Sequence, residues 1–87
     1  MKIKVVETSI IYNKDEEKLN VIDVEILEGS QFLPNRKYIN EDEGITFIIL
    51  SIGHYNPSIV KLYPCTIEIE DEISLSELKD KIFIEVD

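Results

Sequence analysis

Few side chains in this sequence have the type and spacing that chemistry needs. His54, the one histidine of the 87 residues, stands in the segment Gly53-His54-Tyr55-Asn56. A histidine general base needs a nucleophile within reach and an acid to orient it. Cys65 and Asp71 are the available candidates, and no spacing ties either of them to His54. The histidine therefore reads as a solvated loop residue. Cys65 follows Pro64 in an apolar stretch and has Glu68 nearby in sequence. A reactive thiolate needs cationic neighbours, so Cys65 reads instead as a small buried hydrophobe. A single cysteine forms no internal disulfide and no zinc cluster.

Three acid runs could offer oxygen ligands: Asp15-Glu16-Glu17, Glu41-Asp42-Glu43 and the stretch from Glu68 to Glu72. A calcium loop needs spaced acids around a central glycine, and none of the three has that pattern. No metal site and no cofactor is predicted. Arg36-Lys37, flanked by Gln31, Phe32 and Tyr38, is the one basic-aromatic patch. Aromatics beside cations can grip a nucleic-acid strand, but the chain carries 18 acidic against 9 basic side chains, a net charge of −9. Phosphate binding rests on clustered cations, so the simpler reading is a pair that flanks a turn. The same field repels anionic membrane surfaces and steers basic partners inward at rates that fall with salt. Acids on outer strand faces also keep a small β-protein soluble. If a partner site exists, the loop with His54 and Tyr55 is its natural place, because tyrosine offers rigid area with a polar tip. Glu41, Asp42 and Glu43 complete the candidate partner-binding set. No catalytic residue is assigned.

The elements that must position these residues are strands. Val21-Ile22-Asp23-Val24-Glu25-Ile26-Leu27 alternates apolar and acidic positions before the turn Glu28-Gly29. Thr66-Ile67-Glu68-Ile69-Glu70 alternates likewise, which marks half-buried strands. A first strand runs from Ile3 to Tyr12, interrupted by Glu7-Thr8-Ser9, and a charged loop over 13–20 leads into the second. Leu33-Pro34-Asn35-Arg36 and Glu41-Asp42-Glu43-Gly44 are turns. The run 45–52 is apolar on both faces and is expected to be the most buried strand. Strands near 59–63 and 65–70 follow, with Pro64 as a break or bulge. Ser74-Leu75-Ser76-Glu77 has capping-box spacing with room for one helical turn, and Ile82 to Val86 closes the chain. One all-β domain follows: a small closed or partly open antiparallel β-barrel of six to seven strands, with a short helical turn near residues 74–79. The segment Met1 to Val6 reaches Glu7 too soon for a signal peptide. The apolar run 45–52 is far short of the roughly 20 residues of a membrane helix. A cytoplasmic protein is the expectation.

The order of strands and turns over residues 3–86 resembles the second domain of elongation factor Tu and related translation GTPases, a small β-barrel. Val24-Glu25-Ile26-Leu27-Glu28-Gly29 is similar to the family's strand ending in an acid-Gly turn. Leu33-Pro34-Asn35 stands at its second turn, and Lys37-Tyr38-Ile39 enters the next strand. Ile48-Ile49-Leu50-Ser51-Ile52, Cys65-Thr66-Ile67-Glu68-Ile69, the turn Ser74 to Leu78 and the strand Lys81-Ile82-Phe83-Ile84 continue the pattern. The family's Gly-Arg-Gly segment is replaced by Asp15-Glu16-Glu17-Lys18-Leu19, and Pro34 takes the place of a turn glycine. No phosphate-binding Gly-Lys-Ser/Thr motif is present, so the nucleotide domain that accompanies this barrel in the family is not expected. The family's RNA- and ribosome-contacting residues do not carry over position by position. What the resemblance implies is the barrel.

These readings favour a free-standing, non-enzymatic barrel that binds another protein. A more specific version is an inhibitor, immunity or antitoxin-like protein that masks a basic partner. A second class, taken from the resemblance, is a ribosome- or translation-associated accessory protein. A small-molecule enzyme has no pocket motif or cofactor fingerprint behind it. The oligomeric state stays open.

Overall fold

Side chains on a pleated chain alternate between two faces, so each apolar-polar alternation asks for one face out of water. The computed structural model describes residues 1–53 and 62–86. They form β1 (Lys2–Tyr12), β2 (Lys18–Glu28), β3 (Arg36–Asn40), β4 (Ile45–Ile52), β5 (Tyr63–Ile69) and β6 (Ile82–Glu85), with one 3-10 turn at Leu75–Leu78. All pairings are antiparallel, and the strands close a barrel in the order β1-β2-β5-β4-β3-β6, with β6 returning to β1. The all-β barrel expected from the sequence is the fold, with six strands among the described residues. No helix there is long and apolar enough to cross a membrane.

Closing one sheet on itself gives every strand a single inner face. Ile3, Val5, Ile22, Val24, Tyr38, Phe47, Ile49, Cys65, Ile67 and Phe83 fill that interior. Phe47 holds its aromatic neighbours together, with ring centroids 4.7 Å from Phe83 and 5.9 Å from Tyr38. The run 45–52, expected as the most buried strand, turns only one of its two apolar faces into this interior. Ile45, Phe47 and Ile49 face inward, while Leu50 is 47% exposed. Leu50 is the extra residue of a bulge, since Ile49 pairs with Ile67 and Ser51 with Thr66.

Two other expectations change for local reasons. β1 runs unbroken through Glu7-Thr8-Ser9. A register shift between Val5 and Glu7 re-phases the strand, so that Thr8 stands opposite Ile22 on the inner face. Pro64 does not break a strand; it lies inside β5 opposite Asp23, one residue from the strand's start. A missing N–H costs little at a strand end, and the Pro64 carbonyl still accepts from Gly53 N–H at 2.6 Å. Of the strand expected near 59–63, residues 59–61 lie outside the described set.

Each end of the barrel is covered. Leu75 and Leu78 of the 3-10 turn are buried at one end, where Ser74 N–H donates to Glu77 Oε2 at 2.9 Å and so realises the capping-box spacing. At the other end Phe32 packs edge-on against Tyr38 and Tyr63, with centroids 6.4 and 5.7 Å away. The β1–β2 loop is organised by Asn13, whose Oδ1 accepts from the N–H groups of Asp15 and Glu17 at 2.9 and 3.0 Å.

Candidate functional site

Glu41, Asp42 and Glu43 make the turn from β3 to β4, with Gly44 at φ 70° supplying the left-handed residue it needs. Asn40 holds the turn in place. Its carbonyl accepts from Gly44 N–H at 2.8 Å, and its Oδ1 accepts from Glu43 N–H at 2.9 Å. Its Nδ2 donates to the Ile82 carbonyl at 2.9 Å, which ties the turn to β6. Asn40 is only 6% exposed, so these bonds satisfy a side chain that has lost its water.

Beside the turn, Ile39 on β3 stands opposite Ile84 on β6, on the outer face of the sheet, and Ile82 lies two residues along. These isoleucines share an open depression of about 1030 Å³ with the turn. Glu28, Glu41, Asp42, Glu43, Asp80 and Glu85 line it, against the side-chain ammonium groups of Lys2 and Lys81 and the amino end of Met1. Both lysines are engaged: Lys81 Nζ is 2.9 Å from Glu43 Oε2, and Lys2 Nζ is 3.7 Å from Glu28 Oε2. Glu85 Oε2 lies 4.0 Å from Arg36 Nε. Among the described residues no ion pair reaches Glu41, Asp42 or Asp80. The result is an apolar floor with a negative rim. Such a surface suits an extended or amphipathic segment that carries Lys or Arg beside apolar side chains.

Of the predicted partner residues, Glu41, Asp42 and Glu43 therefore sit together on this groove. His54 and Tyr55 lie outside the described residues.

The other candidate chemistry is used for structure. Cys65 is 1% exposed, and its thiol lies 3.5 Å from the Tyr63 carbonyl. Burial, with Asp23 adding to it, pushes the thiol up to about 12, well above a nucleophile's range. Tyr38 is fully buried with no hydrogen-bond partner for its hydroxyl among the described residues, and burial raises its pKa, with the Glu85 charge adding to the rise. Arg36 and Lys37 face Glu85 and Glu70, the second pair at 3.1 Å. The rings of Phe32 and Tyr38 pack on other barrel aromatics. Asp71 Oδ2 accepts from Thr46 N–H at 2.8 Å and from the Thr46 hydroxyl at 3.4 Å. Among the described residues no three His, Cys, Asp or Glu side chains converge as a metal site.

Sequence reasoning missed the floor and the anchor of the groove. Ile82 and Ile84 flank Phe83 in a strand apolar on both faces, a pattern that signals an outer face with a use. Asn40, four residues before Gly44, carries the sequence mark of a side chain that closes a turn. No protein-family model matches the chain, and neither does a curated protein or a solved structure.

Proposed function

We propose that this barrel is a protein-binding module whose groove between the β3–β4 turn and the outer face of β6 receives a basic, partly apolar segment of another protein. The observation that carries the proposal is the pairing of the Ile39, Ile82 and Ile84 floor with a rim of six carboxylates, three of them without an ion-pair partner among the described residues. Apolar contact supplies affinity at the floor, and the rim selects positive charge and speeds encounter. A cytoplasmic setting fits the lone buried thiol.

A charge-masking role against a basic nuclease or nucleic-acid-binding protein is the specific form this reading favours. The partner's cations would then face carboxylates in place of phosphates. A ribosome-associated role, from the likeness to the elongation factor barrel, is the rival, and sedimentation with ribosomes at low salt distinguishes it. The test of the main reading is affinity purification from native cells beside the Glu41→Lys/Asp42→Lys variant. Those two acids hold no ion pair among the described residues, so reversing them leaves the pairs seen there intact. A stoichiometric basic partner that is lost with the variant and at high salt supports the groove. A partner retained equally by both proteins argues against it.

A further inference from the structure

β1 is 11 residues long, while its neighbour β6 has 4. β6 covers the β1 edge only from Lys2 to Lys4. The backbone of Asp80 and Lys81 then covers Val5, through bonds of 2.7 and 3.0 Å, and Lys79 reaches Glu7 at 2.7 Å. From Thr8 to Tyr12 the edge away from β2 has no backbone partner among the described residues. The direction of its groups follows from the hairpin. Asn13 N–H bonds to the Glu17 carbonyl across the hairpin at 3.1 Å. Alternation along the strand then sends the backbone groups of Ile11 and Ser9 toward β2, and those of Thr8, Ile10 and Tyr12 into the open.

This edge lacks the usual protection. Exposed edges are blunted with charge, proline or a cover, yet Thr8-Ser9-Ile10-Ile11-Tyr12 holds no charged residue and no proline. Ile10, Ile11 and Tyr12 are 47, 48 and 68% exposed. We infer that this edge pairs with the same edge of a second copy of the chain, antiparallel about a two-fold axis at Ile10, so that two barrels share one continuous sheet.

Three arguments select a second copy. The occupant must be an extended strand with outward groups at every second residue, and an identical edge meets that condition under a two-fold axis. With Ile10 at the axis, Thr8 of each copy faces Tyr12 of the other, and about six N–H···O=C bonds form. Two molecules of net charge −9 repel, so copies approach best where a strand carries no charge. The groove plays no part in this surface, and the two respond oppositely to salt. Screening weakens the groove's hold on a basic segment and eases the approach of two acidic barrels.

The test is sedimentation equilibrium of the full chain from micromolar to millimolar concentration, with amide exchange followed by NMR. The expected result is a rise toward twice the 10.1 kDa chain mass, with exchange at Thr8, Ile10 and Tyr12 slowing as the dimer fills. Ile10→Pro removes an outward N–H and no bond to β2, and Ile10→Lys puts a charge on the edge. Both are expected to lose the dimer. If Ile10→Pro disturbs the hairpin by circular dichroism, Ile10→Lys decides the matter. A monomer at all concentrations, a dimer that survives Ile10→Lys, or a dimer with unprotected Thr8, Ile10 and Tyr12 amides overturns the inference. Protection that appears only on adding another protein would overturn it too, by giving the edge to a foreign strand.

Discussion

Replacing Asn40 with alanine tests how the acid turn is held. The side chain makes two bonds of 2.9 Å, one to the Ile82 carbonyl and one from Glu43 N–H. Alanine fits the space but leaves both backbone groups without those partners. An unsatisfied buried group costs roughly 1–3 kcal/mol. The Glu43 residue is exposed, so water replaces part of its loss. The sum is about 2–4 kcal/mol, a large share of the roughly 5–15 kcal/mol that holds a small domain together. Urea unfolding followed by circular dichroism measures it, with the midpoint falling and the slope unchanged. Asn40→Asp sharpens the argument, because it keeps an acceptor for Glu43 N–H and turns a carboxylate oxygen toward the Ile82 carbonyl. Its cost is expected to exceed that of alanine at neutral pH and to shrink when acid protonates the new group. An Asn40→Ala protein within about 0.5 kcal/mol of the parent would refute the claim that this residue anchors the turn, since surface changes fall in that range.

Two further predictions concern the interior. Tyr38→Phe deletes a buried hydroxyl that has no partner among the described residues, so it is expected to stabilise the fold by about 1 kcal/mol, the low end of the cost of an unmet polar group; a lower urea midpoint would contradict it. Burial pushes the Cys65 thiol up to about 12 in the fold, against an ordinary value of 9.0, so the folded state keeps a proton that the unfolded chain releases. Its contribution to stability is full below pH 9 and is lost as pH rises from 9 toward 12. Tyr38, also raised, acts in the same direction. Unfolding midpoints measured from pH 7 to 10.5 are expected to fall less steeply in Cys65→Val than in the parent, and equal slopes would count against the assignment.

The fold was legible where one face of a strand must be dry. Ile22 and Val24 alternate with Asp23 and Glu25, and the apolar pair is fully buried. The turns were legible because Asn35 and Gly44 have the positive φ that their residue types favour. The groove was not. Ile39 and Ile84 are distant in sequence and meet only because β6 pairs with both β1 and β3 when the barrel closes. Glu28 and Asp80 join the rim for the same reason. The open end of β1 was equally hidden, since a side-chain pattern shows which face is buried and not whether a neighbouring strand is long enough to cover an edge. Leu50 shows the converse error. Its apolar side chain helped 45–52 read as the most buried strand, and a bulge placed it outside.

Whether the groove takes a basic, partly apolar segment is decided by an NMR titration of the labelled protein with a short peptide of alternating lysine and leucine, at low and at high salt. Saturable shifts confined to Ile39, Glu41, Asp42, Glu43, Ile82 and Ile84 are expected, weakened by salt and by Glu41→Lys/Asp42→Lys. Shifts centred elsewhere on the barrel, or spread evenly over its acidic residues without saturation, would contradict it.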